Sequence, residues 1–150
     1  MIHPNPNPEA TLQLKRTLAA PREKVFRAWT EPDAVKHWFG PPGYQTSVAE
    51  IDLRVGGRYR FGMRQLPDGE VFYNSGTYRE VQPPARLVYT WRWERADMDF
   101  GETLVTVEFL DRGGETELVL THELFPNTEE RDRHTWGWNG TLDRLVQFLG

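Results

Sequence analysis

Four histidines, six tryptophans and no cysteine set the chemistry open to this 150-residue chain. Without a thiol there is no thiolate nucleophile, no thiolate metal site and no disulfide framework. His122 and His134 have a shared destination. His122 closes the alternating set Leu118, Leu120, His122 on a strand, and His134 stands one helical turn before Trp138 on an apolar stripe. Aimed from strand and helix at one interior, they read either as satisfied buried histidines or as the few polar groups of a mostly apolar pocket. Acid–base catalysis by one of them is a further use of the same geometry.

The other reactive residue types carry less. Glu50 and Asp52 share a strand face, as a carboxylate pair for proton transfer would need. Arg54 and Arg58 stand so near, around the Gly56-Gly57 turn, that an ion pair to Asp52 is the simpler expectation. Ser47 and Ser75 lie in strand-like segments outside any G-x-S-x-G. Neither a phosphate-binding glycine loop nor H-E-x-x-H occurs, and His3, His37, His122 and His134 lack local ligand spacing. No catalytic set, metal or cofactor is assigned.

The tryptophans divide by periodicity. Trp91 and Trp93 point to one strand face with Leu87 and Tyr89. Trp136 and Trp138 are about 200° apart on a helix. Trp138 joins the stripe Leu142, Leu145, Val146, Leu149, whereas Trp136 falls with Asn139, Asp143 and Gln147 on the polar side. That leaves Trp136 either partly covered by a loop or at a pocket rim or partner contact. Gly137 and Gly140 each cost a helix roughly 1 kcal/mol relative to alanine. Close packing against a strand would explain such a glycine, and so would space for a ligand.

The elements that position these residues follow from period and turn chemistry. Thr11–Leu18 alternates as a half-buried strand. Ala20-Pro21 starts a helix with Val25, Phe26 and Trp29 inward, and Pro32 opens a second short one with Val35, Trp38 and Phe39. Gly40-Pro41-Pro42-Gly43 ends it. From 45 to 124 the period is two: six strands divided by Gly-Gly, Pro-Asp-Gly and Pro-Pro turns, an antiparallel meander. A last helix from about Thr128 to Leu149, capped by Asn127, reaches roughly 33 Å. The order is α+β in one domain, residues 11–150, after a flexible tail at 1–10. Exposed apolar strand positions such as Val88 and Val119 would, with Trp136, offer a homodimer patch; monomer and homodimer both stay open.

Composition narrows the partners. A net charge of −4 gives no basic field for nucleic acid, and no apolar run reaches the ~20 residues of a membrane span. Met1–Ala10 carries alternating prolines and no address, so the expected compartment is the cytoplasm.

The ordered series of motifs resembles the Aha1-like (activator of Hsp90 ATPase homologue 1-like) domain family of the START-like, SRPBCC or Bet v 1-like superfamily. It runs through Ala20-Pro21, Val25-Phe26, Ala28-Trp29-Thr30 and Trp38-Phe39-Gly40-Pro41. It continues through Asp52-x-Arg54-Val55-Gly56-Gly57, Gly76-x-Tyr78-x-Glu80-Val81 and Arg86-Leu87-Val88-Tyr89-Thr90-Trp91. Thr116-x-Leu118-x-Leu120-Thr121-His122 and Gly137-Trp138 close it. The resemblance implies a helix-grip: a curved antiparallel sheet of about seven strands around a long C-terminal helix, with two short helices after the first strand. It also implies a cavity between sheet and helix for a small hydrophobic or amphipathic molecule. The expected lining is Tyr59, Phe61, Tyr78, Tyr89, Trp91 and Trp93 from the sheet, with His122, His134 and Trp138 closing it. The alternatives are an Hsp90-type co-chaperone or other protein-interaction module, and an enzyme acting on a cavity-bound molecule.

Overall fold

The computed structural model describes residues 10–150. Its elements run β1 (Leu12–Leu18), α1 (Arg22–Thr30), α2 (Pro32–Trp38), β2 (Tyr44–Ile51), β3 (Arg58–Gln65), β4 (Val71–Gln82), β5 (Arg86–Trp93), β6 (Thr103–Arg112), β7 (Glu115–Glu123) and α3 (Thr128–Leu149). The seven strands form one antiparallel sheet in the order β1-β7-β6-β5-β4-β3-β2. This is the predicted helix-grip. Register irregularities at Thr46/Val48 and Tyr78/Glu80 bend the sheet where it wraps the helix.

Local chemistry explains the helix ends. Pro21 is the N-cap of α1, and Pro32 holds the first turn of α2. The Asn127 side chain accepts the Glu130 N–H at 2.8 Å, which starts α3. Gly40, at φ +112°, makes the left-handed turn that releases the chain from α2 toward β2. Two arginines then hold α3 across the sheet. Arg16 of β1 donates to Asn139 (2.8 Å) at one edge. Arg144 donates to the carbonyls of Gly40 (2.9 Å) and Tyr44 (3.0 Å) at the other.

The inner face is apolar and close-packed, with Leu87, Val105, Val107, Phe109, Leu118, Leu120, Leu142 and Leu145 fully buried. Three sequence expectations change here. Val146 is 36% exposed and lies beside the α3 stripe, where Thr141 is buried instead. Val88 and Val119 are buried, so they form no exposed dimer patch. They stand among long charged side chains of the outer face, where Arg86 ion-pairs with both Glu80 (3.1 Å) and Glu108 (3.3 Å). Ala10 is fully buried and its carbonyl accepts the Phe125 N–H, so it belongs to the core; the rest of the expected tail lies outside the described residues. Among the described residues, no helix is long and apolar enough to cross a membrane.

Candidate functional site

The concave face of the sheet is filled at one end and open at the other, and α1 and α2 decide which. Trp29 and Trp38 drop from these helices onto the sheet, their rings 4.7 Å apart. Beneath them Tyr59 packs on Phe61 and on Tyr89, each at 5.0 Å between centroids, and Tyr78 lies 5.9 Å from Tyr89. These four residues were expected to line a cavity, but they are core. Two of the hydroxyls are engaged internally: Tyr59 donates to the Thr90 carbonyl at 2.6 Å, and Tyr89 accepts the Trp29 indole N–H at 3.3 Å. Burial pushes the phenols of Tyr59, Tyr78 and Tyr89 upward, so they stay neutral. The sequence pattern shows that these rings face inward; it does not show that two short helices reach that far.

Phe39, at the end of α2, marks the division. It packs on Phe61 (4.9 Å) and Trp138 (5.9 Å), and its other side faces a cavity of about 490 Å³. That volume lies within the roughly 300–1,000 Å³ typical of small-molecule sites. Of the expected lining, Trp91, Trp93, His134 and Trp138 border this space. The sheet adds Met63 and Phe72, and the corner fixed by Arg144 adds Pro41 and Tyr44. The loop at 94–102 contributes Asp97, Met98 and Phe100, while α3 presents Glu130, Arg133, Trp136, Gly137 and Thr141. Periodicity could not find the loop residues, because an irregular segment has no period to read. Trp136 is 64% exposed and stands at the rim, one of its two expected places.

Both histidines are wired to tryptophans. An indole N–H can only donate, so each such contact fixes a tautomer. Trp93 Nε1 donates to His134 Nε2 at 2.9 Å, and His134 Nδ1 donates to the Glu130 carbonyl at 2.7 Å. Trp138 Nε1 donates to His122 Nδ1 at 3.0 Å. His122 Nε2 then donates to Thr103 Oγ1 at 2.7 Å, and that hydroxyl donates to the Trp91 carbonyl at 3.1 Å. His122 is wholly buried behind Trp91 and Trp138 and does not reach the cavity, a correction to its expected place. Burial lowers both imidazole pKa values, with the neighbouring His134 a lesser cause at His122. At His134 the Glu130 carbonyl partly opposes the shift. Both rings are therefore neutral, and neither keeps a free nitrogen lone pair for a bound molecule.

The remaining polar groups are sorted by depth. Trp91 Nε1 and both amide atoms of Asn74 are buried with no hydrogen-bond partner among the described residues. At the mouth, Arg133 pairs with Glu129 (2.7 Å) and Glu130 (3.5 Å), and Asp97 pairs with Arg95 (2.8 Å). Aromatic and sulfur-bearing side chains make up most of the lining, and Asp97 and Arg133 are its most exposed charged members. Asp52, the other carboxylate of interest, bonds Arg54 at 2.9 Å as expected. Among the described residues, no group of three or more His, Asp or Glu is arranged to hold a metal ion.

Comparisons with known proteins agree with this architecture. A Chromobacterium violaceum protein of known crystal structure is 30% identical, with a TM-score of 0.85 over 93% of this chain and 96% of that one. The AHSA1 protein of Silicibacter pomeroyi is 27% identical, with a TM-score of 0.81 over 92% and 96%. The human activator of 90 kDa heat shock protein ATPase homolog 1 is 28% identical over 131 residues, covering 87% of this chain and 34% of its own length. The mouse protein is 26% identical over the same length. The chain therefore spans about a third of the curated relatives it matches. Residues 19–150 match the family described as activator of Hsp90 ATPase homolog 1-like protein. With the helix-grip fold and that match over most of its length, the chain belongs to the activator of Hsp90 ATPase homolog 1-like family.

Proposed function

We propose that this protein binds a small hydrophobic or amphipathic molecule in the cavity between the sheet and the first half of α3. The observation that carries the reading is the chemistry of the wall. A space of about 490 Å³ is bordered mainly by aromatic and sulfur-bearing side chains, and its charged members Asp97 and Arg133 are solvent-exposed. Burying an apolar surface there yields roughly 25 cal/mol per Å² removed from water. A polar end left at the mouth would keep its hydration beside Asp97, Glu130 and Arg133.

The test is a titration of intrinsic tryptophan fluorescence with a panel of apolar ligands, paired with native mass spectrometry. Saturable quenching with one-to-one adducts is expected, because Trp91, Trp93, Trp136 and Trp138 all border the space. A flat response to every ligand would sink the reading.

A second reading rests on the likeness to human and mouse activators of the 90 kDa heat shock protein ATPase. Here the protein would contact a chaperone of that class. Its test is the ATPase rate of the host chaperone with and without this protein; an unchanged rate removes it.

A further inference from the structure

Gly137 lies in the interior of a 22-residue helix, where glycine is unfavourable by roughly 1 kcal/mol relative to alanine. Apart from the adjoining residues and the helix's own backbone, a Cβ built there meets no heavy atom within 4 Å, and the residue borders the cavity. Gly140, three residues on, is the opposite case: its Cβ would fall 2.3 Å from Pro42 Cδ. One glycine admits a neighbouring loop, and the other faces no packed element.

At 100° per residue, Glu130, Arg133, His134, Gly137 and Thr141 fall within an arc of about 100° on α3, with Gly137 near its midline. All of them border the cavity. Trp136 and Trp138 stand about 100° to either side of Gly137, so on this arc Gly137 is the position without a side chain, with Arg133 and His134 one turn before it and Thr141 one turn after. Trp138 is held by its bond to His122, whereas Trp136 is exposed and free to adjust. The Gly137 carbonyl accepts the Thr141 hydroxyl at 2.9 Å, so at this position the backbone acceptor is engaged.

We propose that Gly137 is the specificity-determining position of this cavity, opening a slot over the α3 backbone that takes a planar aromatic ring system in preference to a saturated chain. The proposal rests on the small-molecule reading above. The missing Cβ lowers the helix surface by one carbon layer in a cavity also bordered by Phe39, Phe72, Trp91 and Trp93, which suits a thin, wide body lying against aromatic faces. Ring faces and edges also gain from offset or edge-on contact with aromatic neighbours, a term a saturated chain lacks. The inserted ring carries no polar group of its own at the slot, and any charge or hydroxyl stays at the mouth.

The experiment compares two probes, N-phenyl-1-naphthylamine and dodecanol, on the wild-type chain and on Gly137→Ala and Gly137→Leu, with circular dichroism to verify folding. The wild type should bind the naphthylamine more tightly than dodecanol. One added carbon at the slot should weaken the naphthylamine by roughly tenfold, and Gly137→Leu by on the order of a hundredfold. Dodecanol, lying elsewhere in the cavity, should change far less in Gly137→Ala. Naphthylamine binding that survives Gly137→Leu overturns the slot. Dodecanol binding as tightly as the naphthylamine, or in its place, overturns the aromatic preference while leaving the small-molecule reading intact. Failure of the wild type to bind either probe overturns both.

Discussion

The two glycines of α3 allow one substitution to be made twice on one helix with different outcomes. Gly137→Ala and Gly140→Ala gain the same helix propensity, about 0.8–1 kcal/mol each. At Gly137 the new methyl meets no other element of the fold within 4 Å, so the gain should appear as stability. At Gly140 the methyl would lie 2.3 Å from Pro42 Cδ and 3.2 Å from Pro42 Cγ. The proline ring is rigid, and its corner is tied to α3 through the bonds of Arg144 to the Gly40 and Tyr44 carbonyls. Relief therefore requires the corner and the helix to separate, an overpacking cost of typically 1–3 kcal/mol. Propensity cancels between the variants, so their difference isolates the Pro42 contact. For a chain of this size 1 kcal/mol moves Tm by about 2–4 °C. Calorimetric Tm, with urea midpoints as a second measure, should place Gly137→Ala above the wild type and Gly140→Ala below Gly137→Ala by about 1–3 kcal/mol. Equal stability of the two variants, or a Tm loss in Gly137→Ala, would refute the account of this helix.

Acid should destabilise the protein in a window set by the histidines. His122 and His134 have folded pKa values below the ordinary 6.5, so the unfolded chain binds protons first as pH falls. Their contribution is complete above about 6.5 and is lost progressively below it, and His122→Asn combined with His134→Gln should flatten stability between roughly pH 6.5 and 5. A wild-type urea midpoint that is unchanged across that window contradicts the neutral, indole-bonded rings. Tyr59→Phe should cost about 1 kcal/mol through loss of the bond to the Thr90 carbonyl while leaving the Kd of any cavity probe unchanged. A tenfold loss of probe affinity in that variant would put Tyr59 back at a binding surface.

The fold was legible because its signals are periodic. The strand period of two, the Asn127 cap and the Pro-Pro breaks place nearly every element, and the order of motifs carries the family. The inward direction of Tyr59, Phe61, Tyr78 and Tyr89 was equally readable. Their surroundings were not: whether an inward ring meets protein or open space depends on how far α1 and α2 reach over the sheet, a tertiary fact with no local trace. His122 shows the same limit, since strand alternation aims it inward but does not reveal Trp138 lying across it. Met98 and Phe100 sit in an irregular loop. Gly137 gave a signal without a sign, because an unfavourable helix glycine means close packing at one position and open space at another.

The central claim is that the open end of the sheet admits a small apolar molecule and the filled end does not. The six tryptophan side chains divide between those ends, so their indole N–H resonances in a ¹⁵N–¹H correlation spectrum report on both at once. Titration with N-phenyl-1-naphthylamine should shift the indoles of Trp93, Trp136 and Trp138 along saturable curves. Those of Trp29 and Trp38, buried under α1 and α2, should remain in place. Shifts that centre on Trp29 and Trp38, or no saturable shift at Trp93 and Trp136, would contradict it.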